Sequence, residues 1–260
     1  MNKYRTASGT SIIMMIVGMS PIIFSVIIRV VSENENIETY TVPVSWFLGG
    51  LLCVLVADKG LNIKFRNYFH KPDSKLLILV ILSAFFYEIF IQYAVYGETS
   101  EETSAMLTKS DIFPVTELIF IAPVSEELVF RFAMLTVLII SSGTNKLKLS
   151  FSIVFTSLLW VLPHFSGLSL RSIDIAITGI IIGAIYLLSK NLLYCITFHA
   201  SANFVVALCT MFGRFFYERG YLMYIGLFMS ILFLSIMFAM LYKNKNLYSF
   251  QTAETVRKIH

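Results

Sequence analysis

Three ionisable side chains stand together inside a largely apolar stretch of this sequence. Glu126, Glu127 and Arg131 lie in the largely apolar run from Ile112 to Ile140. A charged side chain at bilayer depth costs about 2.5 to more than 10 kcal/mol, so such residues face a protein interior or a cavity and mark functional sites. We therefore expect the active site in this stretch.

Helical spacing gives these charges different roles. Glu127 and Arg131 are four residues apart, in the order that favours an ion pair, whereas Glu126 points roughly 100° away. Glu127 is the predicted partner of Arg131, and Glu126 is left without a cation as the candidate general base. The competing interpretation is a buried ion pair with a stray acid.

Pro123 lies three residues before Glu126 in the same segment. A proline removes a backbone donor and commonly kinks a helix. The carbonyl left unpaired is tolerated at membrane depth only where protein or water satisfies it. We therefore expect a wet cavity beside Glu126.

Further polar groups occur in two later apolar segments. One segment ends in Trp160 to His164, and another contains His199 and Asn203. His199 and Asn203 are four residues apart, so they share a helix face and can address one object together. A lone histidine in a bundle is typically a packing residue, but the full set favours a site because each polar member needs a partner.

These motifs resemble those of the CAAX protease and bacteriocin-processing family of intramembrane glutamate proteases. The resemblance rests on Glu-Glu-x-x-x-Arg, an aromatic residue four positions before a histidine, and His-x-x-x-Asn, in that order on the fourth, fifth and seventh helices. In motif terms it covers about Pro114 to Val205. Trp160 stands where phenylalanine is commonest in the family, and we expect this difference to leave the chemistry unaffected.

The resemblance implies roles for the polar residues. Glu126 and His164 would activate a water molecule for attack on a peptide carbonyl, and His199 with Asn203 would stabilise the oxyanion. Glu127 completes the catalytic set, while Arg131 and Trp160 would support it structurally. General chemistry agrees, because water attack needs a base and the tetrahedral intermediate needs donors.

Three other functions compete with this one. A zinc enzyme would use the two histidines and a glutamate, but His-Glu-x-x-His does not occur, and we expect no metal or other cofactor. A non-catalytic membrane partner, such as a bacteriocin self-immunity protein or a regulatory scaffold, has no chemical reason to keep the whole polar set. A transporter is weaker, because paired interrupted helices are missing from the pattern.

The composition indicates a multi-pass protein of the cell membrane. Hydrophobic residues make up 57% and charged residues 14% of the chain, far from the values of soluble domains. No basic cluster is dense enough for nucleic acid, so the expected partners are the bilayer and a peptide or membrane-protein substrate. Cys53, Cys195 and Cys209 lie in apolar segments and are expected to be buried free thiols.

The apolar segments predict an all-α bundle of about eight transmembrane helices in one protease domain, residues 1–242, with a tail at 243–260. The predicted helices are 10–31, 44–57, 76–97, 112–141, 149–165, 172–189, 191–212 and 220–242. The connector 58–75 is predicted to lie on the membrane surface as an amphipathic segment. Most lysines and arginines fall on one side of these helices, so both termini should be cytoplasmic.

Overall fold

The computed structural model describes residues 13–21, 23–24, 27–28, 35–61, 63–96, 112–164, 169–212 and 219–244. In these ranges the regular backbone is helical and contains no strand. The protein is therefore an all-α membrane protein, as predicted. Most of the predicted tail, both chain ends and the acidic positions 98–111 lie outside the described residues, so the orientation of the termini stays a prediction.

Nine α-helices with their own bounds are described in these ranges. They are α1 (Glu35–Leu55), α2 (Ser74–Tyr96), α3 (Ile112–Thr116), α4 (Ala122–Glu127), α5 (Thr136–Ser142), α6 (Lys146–Val161), α7 (Leu170–Ser189), α8 (Leu192–Met211) and α9 (Tyr221–Asn244). Among the described residues, six stretches are long and apolar enough to cross a membrane. These are Thr41–Gly60, Ser74–Val95, Lys146–His164, Leu170–Ser189, Leu192–Met211 and Tyr221–Asn244.

The fourth predicted helix is one continuous helical segment that changes register twice. We call residues 112–142 the site helix. Between its α-helical parts it contains π-helical turns at Glu117–Ile121 and Leu128–Leu135. The site helix contains α3, α4 and α5 and counts as one helix. With the helical stretch at 13–21, the described residues then contain eight helical segments, the number predicted.

The second helix begins earlier than predicted. The sequence places its start near residue 44, because Pro43 and the polar residues before it read as a loop, whereas α1 starts at Glu35 and contains Pro43. A proline is accommodated in a helix when the surrounding bundle compensates for the missing backbone bond. Glu35 and Glu38 therefore belong to a helix and not to the first loop.

The site helix lies at the centre of the bundle. All eight residues from Leu128 to Leu135 are buried, including Arg131. Helix α1 packs along this segment, α8 packs against both it and α2, α6 pairs with α7, and α9 lies along α2. The close approach of α9 needs Gly226, because a Cβ there would meet the backbone nitrogen of Phe90 at 2.9 Å.

The connector between α1 and α2 packs on the protein through two aromatic side chains. Phe65 and Tyr68 contact Phe132 of the site helix with ring centroids 5.1 Å and 5.8 Å apart. The amide of Leu192 donates to the carbonyl of Tyr68 over 2.7 Å. Phe65 and Tyr68 thus face the bundle, whereas Phe69 is exposed, and the position of the connector on the membrane surface stays a prediction.

Candidate active site

Glu127 and Arg131 form the ion pair that their spacing predicts. Arg131 Nε lies 3.2 Å from Glu127 Oε2, and both side chains are almost fully buried. Arg131 also donates from Nη2 to the carbonyl of Gly179 over 3.2 Å, and its guanidinium lies 4.7 Å from the centre of the Trp160 ring. The arginine therefore joins the site helix to α6 and α7.

Glu127 has a second partner that the sequence analysis did not assign. His199 Nδ1 lies 3.0 Å from Glu127 Oε1, within hydrogen-bonding distance. An ionised carboxylate only accepts, so Nδ1 carries the proton in this bond. Glu127 thus fixes the ring of His199 and leaves its Nε2 directed towards Glu126, 4.0 Å from Oε2.

Glu126 accepts a hydrogen bond that the sequence analysis did not assign. The indole Nε1 of Trp160 donates a hydrogen bond to Glu126 Oε2. A phenylalanine has no such donor. The expectation that tryptophan at this position leaves the chemistry unaffected therefore has no support in the geometry. Spacing along one helix could not reveal this contact, because the donor comes from α6.

His164 faces the other oxygen of Glu126. Its Nε2 lies 3.8 Å from Glu126 Oε1, and the ring is about one-third exposed. Its Nδ1 donates to the carbonyl of Trp160 over 3.0 Å, so in the neutral ring Nε2 carries a lone pair. Helix α6 ends at Val161 and gives way to a 3-10 turn, Leu162–His164, from which the histidine reaches Glu126.

Asn203 satisfies a backbone carbonyl that Pro123 leaves open. In the π-helical turn Ala122 donates its N–H to the carbonyl of Glu117. The next residue in this register is Pro123, which has no N–H for the carbonyl of Leu118. Asn203 Nδ2 donates to that carbonyl instead, over 2.7 Å. An amide nitrogen has two hydrogens, so one remains for a ligand.

A cavity of about 370 Å³ adjoins these residues. Its lining brings together Glu126, Trp160, His164, His199 and Asn203 from the site helix, α6, the 3-10 turn after α6, and α8. All five come from the predicted set, while Glu127 and Arg131 lie behind them. The predicted cavity beside Glu126 is present, while the carbonyl that Pro123 leaves open is satisfied by protein, through Asn203.

The sequence analysis missed four further polar residues that line this cavity. They are Glu88, Gln92, Glu117 and Asp174. Gln92 donates to Glu88 over 2.7 Å, and Asp174 accepts from the hydroxyl of Tyr87 over 3.0 Å. The rule that drew attention to Glu126 also applies to these acids, because each lies in an apolar segment.

The described residues contain no group of three or more histidine, cysteine, aspartate and glutamate side chains placed to hold a metal ion. The three cysteines are buried and free, as predicted. The zinc alternative, with the two histidines and Glu126 as its ligands, is tested by experiment below.

The fold and the cavity define a polytopic membrane protein with a polar site among its helices. Residues 108–205 match the family profile described as type II CAAX prenyl endopeptidase Rce1-like. This match confirms the predicted resemblance over that segment, which contains every predicted site residue, and it supports a membrane-embedded peptidase. No curated protein and no solved structure gave a match.

Proposed function

We propose that this protein is an intramembrane endopeptidase that hydrolyses a peptide bond with water activated by Glu126 and His164. The observation that carries the proposal is the pair of basic atoms in the cavity, Glu126 Oε1 and His164 Nε2, 3.8 Å apart. This distance is too long for a direct hydrogen bond. A water molecule between the two atoms can bond to both.

The reaction follows from this arrangement. Glu126 takes a proton as the water oxygen bonds to the substrate carbonyl carbon. The tetrahedral intermediate then breaks its carbon–nitrogen bond, and the leaving amine receives the proton from Glu126 or through His164. The products are a carboxylate and an amine, so no other reactant is required.

His199 and Asn203 supply the donors for the developing oxyanion in this proposal. Asn203 is held by the carbonyl of Leu118 and has a second amide hydrogen. His199 is held by Glu127 and directs Nε2 towards the side of Glu126. To donate from Nε2 it carries protons on both nitrogens, and the adjacent carboxylates balance that charge. Donors fixed in advance are the ones that stabilise a transition state.

The alternative function is a non-catalytic membrane partner, either a bacteriocin self-immunity protein or a regulatory scaffold. In this role the polar residues of the cavity would serve only to pack the helices together. The exposure of His164 argues against this role, because a packing histidine has no reason to present a lone pair to an open cavity.

The test uses purified protein in detergent with a library of internally quenched peptides, read by mass spectrometry in oxygen-18 water. We expect cleavage in which the new carboxyl terminus carries one heavy oxygen atom, without any covalent enzyme adduct. Failure to cleave any peptide or membrane-protein segment, with the protein folded, would favour the non-catalytic partner.

A further inference from the structure

The helix ends of this bundle differ sharply in charge. Lys75, Lys146 and Lys148 stand in the first turns of α2 and α6, and Lys190 follows the last residue of α7. The connector that joins this end adds Lys59, Lys64, Arg66 and Lys71. We call this the basic end.

The cavity lies towards the other end. Helix α2 starts at the basic end, and Glu88 lies fourteen residues beyond Ser74, about 21 Å at the rise of an α-helix. Helix α6 starts at the basic end too, and contributes Trp160 in its last turn. Helix α7 runs the opposite way, and Asp174 lies only about 6 Å from its start at Leu170.

The remaining walls show the same placement. Val42 comes from the half of α1 that is remote from the connector, and Cys209 and Thr210 come from the last turn of α8. Arg171, at the rim, is exposed in the first turn of α7. Five helices of alternating direction thus place the cavity at one end.

We propose that the cavity is entered from the non-cytoplasmic face of the membrane and receives exported peptides or external segments of membrane proteins. Lysine and arginine collect on the cytoplasmic side of membrane proteins, which assigns the basic end to the cytoplasm and the cavity to the opposite face. The side of entry stands on this geometry alone. The class of substrate rests on the proposed function. Cytoplasmic protein tails, including prenylated ones, are excluded as substrates because they lie on the wrong side.

Two matched cysteine variants test the side of entry. Arg171→Cys and Lys148→Cys each replace an exposed basic residue near the start of a helix, α7 at the cavity and α6 at the basic end. Intact cells are treated with a membrane-impermeant maleimide, and the wild-type chain, whose three cysteines are buried, gives the background. We expect labelling of Arg171→Cys in intact cells, and of Lys148→Cys only after permeabilisation. The reverse pattern would overturn the proposal.

The class of substrate is tested with oriented membranes. Right-side-out and inverted vesicles are given the same impermeant quenched peptides, with detergent-opened vesicles as the measure of total activity. We expect cleavage by right-side-out vesicles at nearly the total rate and at least tenfold slower cleavage by sealed inverted vesicles. Faster cleavage by inverted vesicles would overturn the inference and leave the proposed peptidase intact. Absence of cleavage even in detergent would overturn the peptidase, and the labelling would still decide the side of entry.

Discussion

Asn203 donates its side-chain amide to the carbonyl of Leu118 over 2.7 Å, at the point where Pro123 provides no backbone donor. The asparagine therefore has two separable tasks. One is to satisfy a backbone group inside the membrane. The other, in the proposed mechanism, is to offer its second hydrogen to the oxyanion.

Asn203→Ala should lower both protein abundance and turnover. An unsatisfied buried carbonyl costs about 1–3 kcal/mol, and loss of one oxyanion donor lowers kcat by roughly 10²–10³ fold. The double variant Pro123→Ala with Asn203→Ala gives the carbonyl of Leu118 a new backbone donor. We expect it to regain abundance but not kcat. Recovery of both would reduce Asn203 to a structural role.

Trp160→Phe should lower kcat by roughly 10- to 150-fold with little change in KM. The indole donates to Glu126, a hydrogen bond to a charged group is worth about 1.5–3 kcal/mol, and the ring of phenylalanine keeps much of the packing. Trp46→Phe is the matched control, since Trp46 also lines the cavity but packs on Phe130. Equal kcat for Trp160→Phe and wild type would restore the expectation drawn from the sequence.

Gly179→Ala should destabilise the protein. A Cβ at this position would meet Ser157 Cβ at 2.9 Å and Trp160 Cε3 at 3.0 Å. The carbonyl of Gly179 also accepts a hydrogen bond from Arg131. Overpacking of this kind costs about 1–3 kcal/mol. Gly220→Ala is the control, because nothing lies within 4 Å of its added Cβ. Thermal unfolding in detergent that is equal for the two variants would contradict the packing argument.

Removal of metal should leave peptide cleavage unchanged. The proposed mechanism uses Glu126 as the base and needs no Lewis acid. Chelator is added to the purified enzyme, followed by zinc, with cleavage rate and metal content measured together. Activity that disappears with chelator and returns with zinc would support the zinc alternative, in which His164, His199 and Glu126 are the available ligands.

Some of this site is visible in the sequence, and some depends on how the helices are rotated. The ion pair of Glu127 and Arg131 follows from their spacing of four residues. The transmembrane helices follow from the lengths of the apolar runs. The contacts of Trp160 with Glu126 and of Asn203 with Leu118 join different helices, so no periodicity encodes them. The π-helical turn at Glu117–Ile121 changes which carbonyl Pro123 leaves open. Glu88 and Asp174, by contrast, could have been found by the same rule as Glu126.

Glu127→Gln should lower abundance as well as activity. Glutamine can still accept from His199 but cannot balance the buried charge of Arg131, and breaking such a pair costs about 3–5 kcal/mol. Membrane levels measured by immunoblot, with Glu126→Gln as the matched control, check this. Normal levels of Glu127→Gln would contradict its assignment as the counterion.

The most direct test of the central claim is the turnover of purified Glu126→Gln on a peptide that the wild-type protein cleaves. Glutamine keeps the size of the side chain and an oxygen that accepts from Trp160, but it cannot take a proton from water. The account predicts a folded, normally inserted protein that still binds the peptide and has no measurable kcat. Cleavage by Glu126→Gln at a rate near that of the wild type would contradict it.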